Sequence, residues 1–243
     1  MGVTYKLRKK LINLTGYWFY KRAHLPIGAD FLEDISNKLN IRPKVIFDVG
    51  ANYGQTAEYY SVNFPDSEIY SFEPIQNSFE KLVETTSTLN NVKCFHTAFG
   101  EKETSVEISL FEEEQSQLNS LKNVNTNLDS NAPKETISVT TIDLFLESNN
   151  IETLDLLKID TEGYEIEVLK GAKKSLQTGK INMMLCEVAL SFANERNTQL
   201  SDLINYLKPY NFTLIGMYDT NINYLNQGLT YSNILLVKTS YKN

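Results

Sequence analysis

Short apolar runs and helical periods alternate along most of this chain, and that alternation limits the fold more than any single motif does. Strand-like runs occupy 45–49, 68–73, 92–97, 154–160, 183–188, 213–218 and 234–238. Helical stripes fall between most of them, such as Phe79, Leu82, Val83 and Leu89, or Ile166, Leu169, Ala172 and Leu176. Parallel neighbours need a crossover of helix length, whereas an antiparallel pair needs only a turn. The pattern therefore predicts an α/β fold: a Rossmann-like open sheet, mostly parallel, with seven core strands and helices on both faces. The last two strands depart from the rule. Only a polar loop containing Gly228 separates Tyr218 from Ile234, so the sheet should end in a C-terminal antiparallel hairpin. Short added strands are expected over 104–111 and 136–140, separated by an acidic, Asn-rich segment at 112–135. Residues 1–40 read as an N-terminal helical, basic segment that packs on or precedes the core, and 41–243 as one large domain able to bury a full core.

Charge bears on what such a domain meets. The chain carries 23 Lys and Arg against 30 Asp and Glu, a net charge of −7. That balance argues against a nucleic-acid partner, because phosphate binding draws on clustered cations. Six of the bases, Lys6, Arg8, Lys9, Lys10, Lys21 and Arg22, fall within residues 1–22, where there is no acid. In the same segment Leu7, Leu11, Leu14 and Trp18 share a helical face. The pattern suits an anionic membrane surface carrying a lipid-linked substrate, or docking on the chain's own domain or a partner subunit. The stretch 11–20 is too short and too interrupted by polar residues to span a bilayer. Cys94 and Cys186 make neither a disulfide framework nor a metal-ligand spacing, so the expected location is cytoplasmic, with membrane association through the basic segment. Oligomeric state is not encoded in these patterns.

The junction "VIFDVGANYGQTAEYY", residues 45–60, is where binding chemistry is expected. In an open α/β sheet the ligand sits at the carboxyl ends of the strands, and the first strand-to-helix loop lines that crevice. Gly50 and Gly54 let backbone approach a ligand closely. Glu73, at the end of the next strand, is placed to accept both hydroxyl hydrogens of a ribose. A nucleoside is thus the expected ligand; the plainer alternative is a tight turn that merely closes a βαβ unit. The loop lacks the Gly-x-Gly-x-x-Gly spacing of a pyrophosphate-binding turn, and Asp48 precedes it, so S-adenosylmethionine is favoured over a nicotinamide dinucleotide.

Several segments together carry a family resemblance: "FDVGANYGQTA" (47–57), "YSFEPIQNSFEKL" (70–82), "HTAFGEKE" (96–103), "VTTIDLFL" (139–146), "LLKIDTEGYEIEVLKGA" (156–172) and "LCEV" (185–188). In content and order they resemble the FkbM-type methyltransferases over roughly 45–188. The resemblance implies a class I methyltransferase fold and an S-adenosylmethionine-dependent O-methyltransferase, acting on a sugar hydroxyl of a glycan, glycolipid or natural product and releasing S-adenosylhomocysteine. It puts the Gly-rich loop on Asp48, Gly50, Asn52 and Gly54, the ribose-binding acid on Glu73, the adenine-side loop on Thr97, Ala98 and Phe99, and the strand-four motif on Asp160, Glu162, Gly163 and Glu165. With Ala51, Tyr53, Gln55, Thr56 and Pro74 added from the same loops, and Asp160 shared with the reaction centre, this is the expected cofactor-binding set.

The acceptor alcohol must lose a proton, and positioned carboxylates serve for that. Asp160 ends the fourth long strand and Glu187 lies near the end of the fifth. Asp160 is the expected base or orienter, Glu187 the second candidate and Glu162 the weaker third. The alternative for Asp160 and Glu162 is capping of the following helix. A divalent metal held by the carboxylates is the less favoured mechanism, and no metal ligands are assigned. His96 is expected in a loop on the adenine side, and His24 ahead of the sheet. Two rival functions share the fold: a nicotinamide-dependent oxidoreductase and a non-catalytic nucleoside-binding domain.

Overall fold

A computed structural model of the chain describes residues 3–17, 20, 21, 24–109, 133–223 and 228–241. The N-terminal helix α1 (Val3–Thr15) is followed by α2 (Phe31–Glu33), which runs into a π-helical turn (Asp34–Lys38). The chain then proceeds through β1 (Val45–Val49), α3 (Gln55–Asn63), β2 (Glu68–Phe72), α4 (Gln76–Thr86), β3 (Val92–Phe95), β4 (Ala98–Phe99), β5 (Thr104–Ser109) and β6 (Lys134–Thr140). Next come α5 (Ile142–Ser148), β7 (Leu154–Ile159), α6 (Glu165–Lys170), α7 (Lys173–Thr178), β8 (Ile181–Ala189) and α8 (Leu200–Leu207) with a 3₁₀ turn (Lys208–Tyr210). The chain closes with β9 (Phe212–Tyr218), the short ribbon β10 (Ile222–Asn223) and β11 (Gly228–Leu229), and β12 (Tyr231–Lys238).

Seven strands form the main sheet in the order β3-β2-β1-β7-β8-β12-β9. All neighbours are parallel except β12, which is antiparallel to both β8 and β9. The order reverses between β1 and β7, and that reversal opens a crevice at their carboxyl ends. The expected closing hairpin is present as β9 and β12, with β12 inserted between β8 and β9. This is the open, Rossmann-like sheet that the alternating pattern predicts. The added strands β5 and β6 pair with β4 in a separate three-stranded sheet; β5 is described to Ser109, and 110–132 lie outside the described residues.

Successive strand residues point to opposite faces, and both faces are apolar, which is why the strands read as continuous hydrophobic runs. Phe47, Val49, Phe72, Leu157, Ile159 and Cys186 join one core with residues of α5, α6, α7 and α8. Ile46, Ile69, Leu156, Met183 and Leu235 join the other with Tyr60 and Phe64 from the α3 side and Ile35 from the π-helical turn. Asp34 fastens that turn to the sheet: its buried carboxylate accepts hydrogen bonds from Tyr218 Oη (2.8 Å) and the Gly28 N–H (2.7 Å) and pairs with Lys38.

Two helical stripes differ from expectation. Ile166 to Leu176 is not one helix but α6 and α7, interrupted at Gly171. A Cβ on Gly171 would lie 2.0 Å from the Gly100 carbonyl oxygen, so this approach needs glycine. The new N-terminus is capped from outside: Asp143 of α5 accepts the N–H groups of Lys174 and Ser175 at 2.8 Å each. In α4 the buried face is Ser78, Leu82 and Thr86, while Val83 is exposed and Leu89 falls beyond the helix end.

Candidate active site

The end of the crevice where the cofactor is expected is made largely by backbone. β1 stops at Val49 and the chain turns at Gly50 with φ +78°. A Cβ there would sit 1.9 Å from the Asp160 carbonyl oxygen, so glycine is required both by conformation and by space. The Gly50 and Ala51 N–H groups both donate to the Phe72 carbonyl at 3.0 Å, tying the loop to the tip of β2. Just past that tip stands Glu73. Its Oε2 accepts the Asn52 N–H and its Oε1 the Ile75 N–H, each at 2.9 Å. A carboxylate offers about four lone-pair sites, so both oxygens retain capacity for further donors, such as vicinal hydroxyls. Burial lifts the Glu73 carboxyl to about 7 against the pull of those two N–H groups. Glu73 and Asn52 line a cavity of about 410 Å³ together with Ala51, Gln55, Thr56 and Pro74, within the size range of small-molecule sites. Thr97, Ala98 and Phe99 form its wall at the β3–β4 turn.

The other end is made by side chains. One carboxylate oxygen from each of Asp160, Glu162 and Glu187 comes within 4.8 Å of the others, and all three residues line the cavity. Lys158 runs beneath this group from β7: its ammonium donates to the Gly50 carbonyl (3.0 Å) and lies 3.0 Å from Asp48 and 3.5 Å from Asp160. Burial alone would discourage that charge, but the two carboxylates outweigh it and hold the ammonium above its ordinary pKa. The Thr161–Tyr164 turn carries Glu162 and Gly163 at φ values of +56° and +98°, aiming Glu162 at Glu187 rather than along α6. No side chain caps the start of α6; fully buried Glu165 instead ties down the turn before it, its Oε1 accepting the Thr161 and Gly163 N–H groups at 3.0 and 3.1 Å. Thr198 donates to its other oxygen.

The segment between β8 and α8 closes over the acids. Asn197 Nδ2 donates to Glu187 Oε2 (2.5 Å) and to Glu162 Oε2 (3.3 Å), while its own Oδ1 accepts from Asn194 (2.9 Å). Arg196 forms an ion pair with Glu162. Burial raises the Glu187 carboxyl to about 8, helped by the charges of Asp160, Glu162 and Glu165. Glu162 is raised to about 7, again by burial first and then by Asp160, with Arg196 opposing. Such a cluster can hold a proton between two carboxylates near neutral pH, and three carboxylate oxygens are also the donor type that suits a hard divalent ion.

Among the expected cofactor residues, Asp48, Tyr53 and Gly54 do not line the cavity. Asp48 is fully buried behind Lys158, the Tyr53 ring lies 4.5 Å from the Lys81 ammonium, and Gly54 begins α3 packed against Leu82 and Thr85. His96 stacks on Phe79 with ring centroids 4.8 Å apart, and neither it nor His24 borders the cavity. Lys158, Arg196 and Asn197 were not singled out from sequence. Lys158 alone left a signal there, a charge inside an apolar central strand, since lysine is almost never buried unless paired.

Several known proteins are similar to this chain. A model of the methyltransferase FkbM domain matches residues 48–214. The hexuronic acid methyltransferase AglP of Haloferax volcanii is 29% identical over 144 residues, covering 59% of this chain and 55% of that protein. Methyltransferase 1 of Beauveria bassiana is 26% identical over 142 residues, covering 52% and 57%. The chain thus spans about half the length of the curated relatives it matches. Among solved structures, an rRNA methylase from Streptococcus thermophilus aligns with a TM-score of 0.48 at 11% identity, over 91% of this chain and 99% of the other. Aeropyrum pernix fibrillarin with bound S-adenosyl-L-methionine aligns at 0.46 and 14% identity, over 81% and 66%.

Proposed function

The chain belongs to the FkbM methyltransferase family, and on that premise we propose that it transfers a methyl group from S-adenosylmethionine to a hydroxyl oxygen of a sugar. The observation that carries this is one cavity with two unlike ends: Glu73, set to receive ribose hydroxyls, and the Asp160, Glu162 and Glu187 cluster. The residues present fit the cofactor. Gly50 keeps a side chain out of the loop that would face it, Glu73 has acceptor capacity to spare, and Thr97 to Phe99 offer a mixed wall for a base. When bound, S-adenosylmethionine supplies the methyl group and leaves as neutral S-adenosylhomocysteine.

The acceptor hydroxyl is placed among the acids. Glu187 takes the proton that the hydroxyl loses as its oxygen forms the new bond to carbon. A base with a pKa of about 8 is well matched to work near neutral pH, where proton affinity and the fraction already ionised are both useful. Asp160, held by Lys158 beside the Gly50 loop, orients the acceptor, and Asn197 keeps Glu187 and Glu162 facing each other. We place the base on Glu187 ahead of Asp160 because Asp160 is committed to the Lys158 ammonium. The hexuronic acid methyltransferase among the relatives favours an acidic sugar.

Calorimetry with S-adenosylhomocysteine, then labelled methyl uptake by a panel of neutral and uronic-acid glycans, tests the proposal. Micromolar binding and uptake by a sugar hydroxyl are expected. Binding of a nicotinamide dinucleotide in preference would overturn it, and binding with no transfer to any acceptor would leave a nucleoside-binding domain.

A further inference from the structure

Helix α1 presents a leucine stripe that the rest of the described protein does not cover. Leu7, Leu11 and Leu14, spaced four and three residues apart, lie on one face and are 58%, 39% and 80% exposed. Gly16, at φ +73°, ends the helix by donating its N–H to the Ile12 carbonyl. Tyr17 follows at 73% exposure. Among the described residues, no hydrogen bond or salt bridge joins residues 3–17 to the α/β body: Thr15 bonds Leu11, Tyr17 bonds Thr15, and Arg8 lies over the Tyr20 ring at 5.7 Å. Trp18 and Arg22, which extend the sequence pattern, lie outside the described residues.

Charge identifies the partner. Residues 1–22 hold six bases and no acid, while the rest of the chain has 17 bases against 30 acids. The body is the nearest acidic surface, yet Lys6, Arg8, Lys9 and Lys10 make no described ion pair with it. By helical spacing Lys10 falls on one edge of the leucine stripe and Arg8 on the other, so cations border it on both sides. A flat anionic surface meets both edges at once while the leucines enter its apolar layer. Tyrosines at the helix end suit the same boundary, with ring in the apolar zone and hydroxyl in water. The helix is too short to cross a bilayer, and no described helix is long and apolar enough to do so. We infer that α1 is an interfacial tether that lays its leucine face on an anionic lipid surface, with the acidic body facing away from the lipid headgroups.

The test is flotation of the full chain with vesicles of phosphatidylcholine and phosphatidylglycerol in a two-to-one ratio, and with phosphatidylcholine alone. Two variants accompany it: Leu7→Asn/Leu11→Asn/Leu14→Asn, and Lys6→Glu/Lys9→Glu/Lys10→Glu, each with thermal melting as a check that the body still folds. The tether predicts that only the anionic vesicles carry the protein, that salt reverses this, and that each variant binds about tenfold less or weaker still. Equal flotation with neutral vesicles, no flotation of the unmodified chain, or retention by the leucine variant would overturn it. Sedimentation at rising concentration covers the competing occupant. Self-association that the leucine variant abolishes, without flotation, would assign the face to a second copy of the chain.

Discussion

The two ends of the cavity are held in shape by different forces. At the Gly50 and Glu73 end, the contacts that set the geometry are mostly backbone: two N–H groups on the Phe72 carbonyl, two more on the Glu73 carboxylate, and a glycine pressed against the Asp160 carbonyl. At the Glu187 end, they are side chain to side chain, and acids outnumber the two cations, Lys158 and Arg196. One end is rigid by sterics and pairing; the other is balanced by charge and protonation. Substitutions at the first should therefore register in cofactor affinity, and substitutions at the second in turnover and pH dependence.

The largest test of that division is Glu187→Gln. The amide keeps the size and the contact with Asn197 but cannot accept the acceptor's proton. A fall in kcat of about 10² to 10⁴-fold is expected, with S-adenosylhomocysteine affinity unchanged within about twofold. The contrast fails if affinity falls as far as turnover. If Asp160→Asn shows the loss and Glu187→Gln does not, the base belongs on β7. Chelation sharpens the result further: a carboxylate base is indifferent to EDTA, whereas a metal held by the three acids would make activity depend on added Mg²⁺ or Mn²⁺.

The same division explains what sequence alone could reveal. The Gly50 to Glu73 end was legible because its constraints are local: a strand, a turn and the next strand fix the spacing of the residues that matter. The make-up of the sheet was legible for a similar reason, since seven apolar runs and one missing crossover give its strands and its closing hairpin, though not the order β3-β2-β1-β7-β8-β12-β9. Asn197 and Arg196 belong to a stretch, "NERN", that reads as solvated loop until it folds back on Glu162, 35 residues earlier. Periodicity likewise could not see that Gly171 packs on the Gly100 carbonyl, so it joined α6 and α7 into one helix. The turn before α6 was equally hidden: its left-handed backbone at Glu162 and Gly163 lets Glu165 accept the Thr161 and Gly163 N–H groups, and no side chain caps the helix, so the capping alternative for Asp160 and Glu162 does not hold.

A smaller effect is expected at the cofactor end. Glu73→Ala removes an acceptor for the ribose hydroxyls and releases the Asn52 and Ile75 N–H groups, so the loop loses order along with a ligand contact. Loss of the charged acceptor should cost about 2 kcal/mol in all, so the dissociation constant for S-adenosylhomocysteine should rise about thirtyfold. Turnover at saturating cofactor should change far less. A folded Glu73→Ala protein with unchanged affinity would remove Glu73 from the ribose site and with it the backbone-against-side-chain contrast.

The last expected effect is on the stability of the ligand-free protein, and it reads the titrating acids at both ends. Glu73 at one end and Glu162 at the other are raised to about 7, and Glu187 to about 8, from an ordinary 4.5. The folded chain therefore retains protons that the unfolded chain has released across that interval. Where the native state binds more protons, stability falls as pH rises. All three groups thus favour the fold near pH 5 and oppose it progressively toward their folded pKa values, with Glu73 and Glu162 completing their loss about one pH unit before Glu187. Acids that the fold lowers, such as Asp34 and Glu68, act at the opposite end: their stabilisation is present above about pH 4.5 and lost below it, outside the window. Melting temperatures of the ligand-free protein between about pH 5 and pH 8 should fall, and Glu187→Gln should remove the most alkaline part of that fall, so that the variant matches or exceeds the unmodified protein at the alkaline end. Saturating S-adenosylhomocysteine should oppose the Glu73 share alone, since hydroxyl donors favour the ionised carboxylate. Parallel melting curves for the two proteins across the window would mean that Glu187 titrates as an ordinary surface acid, and the charge-balanced description of the acceptor end would have to be abandoned.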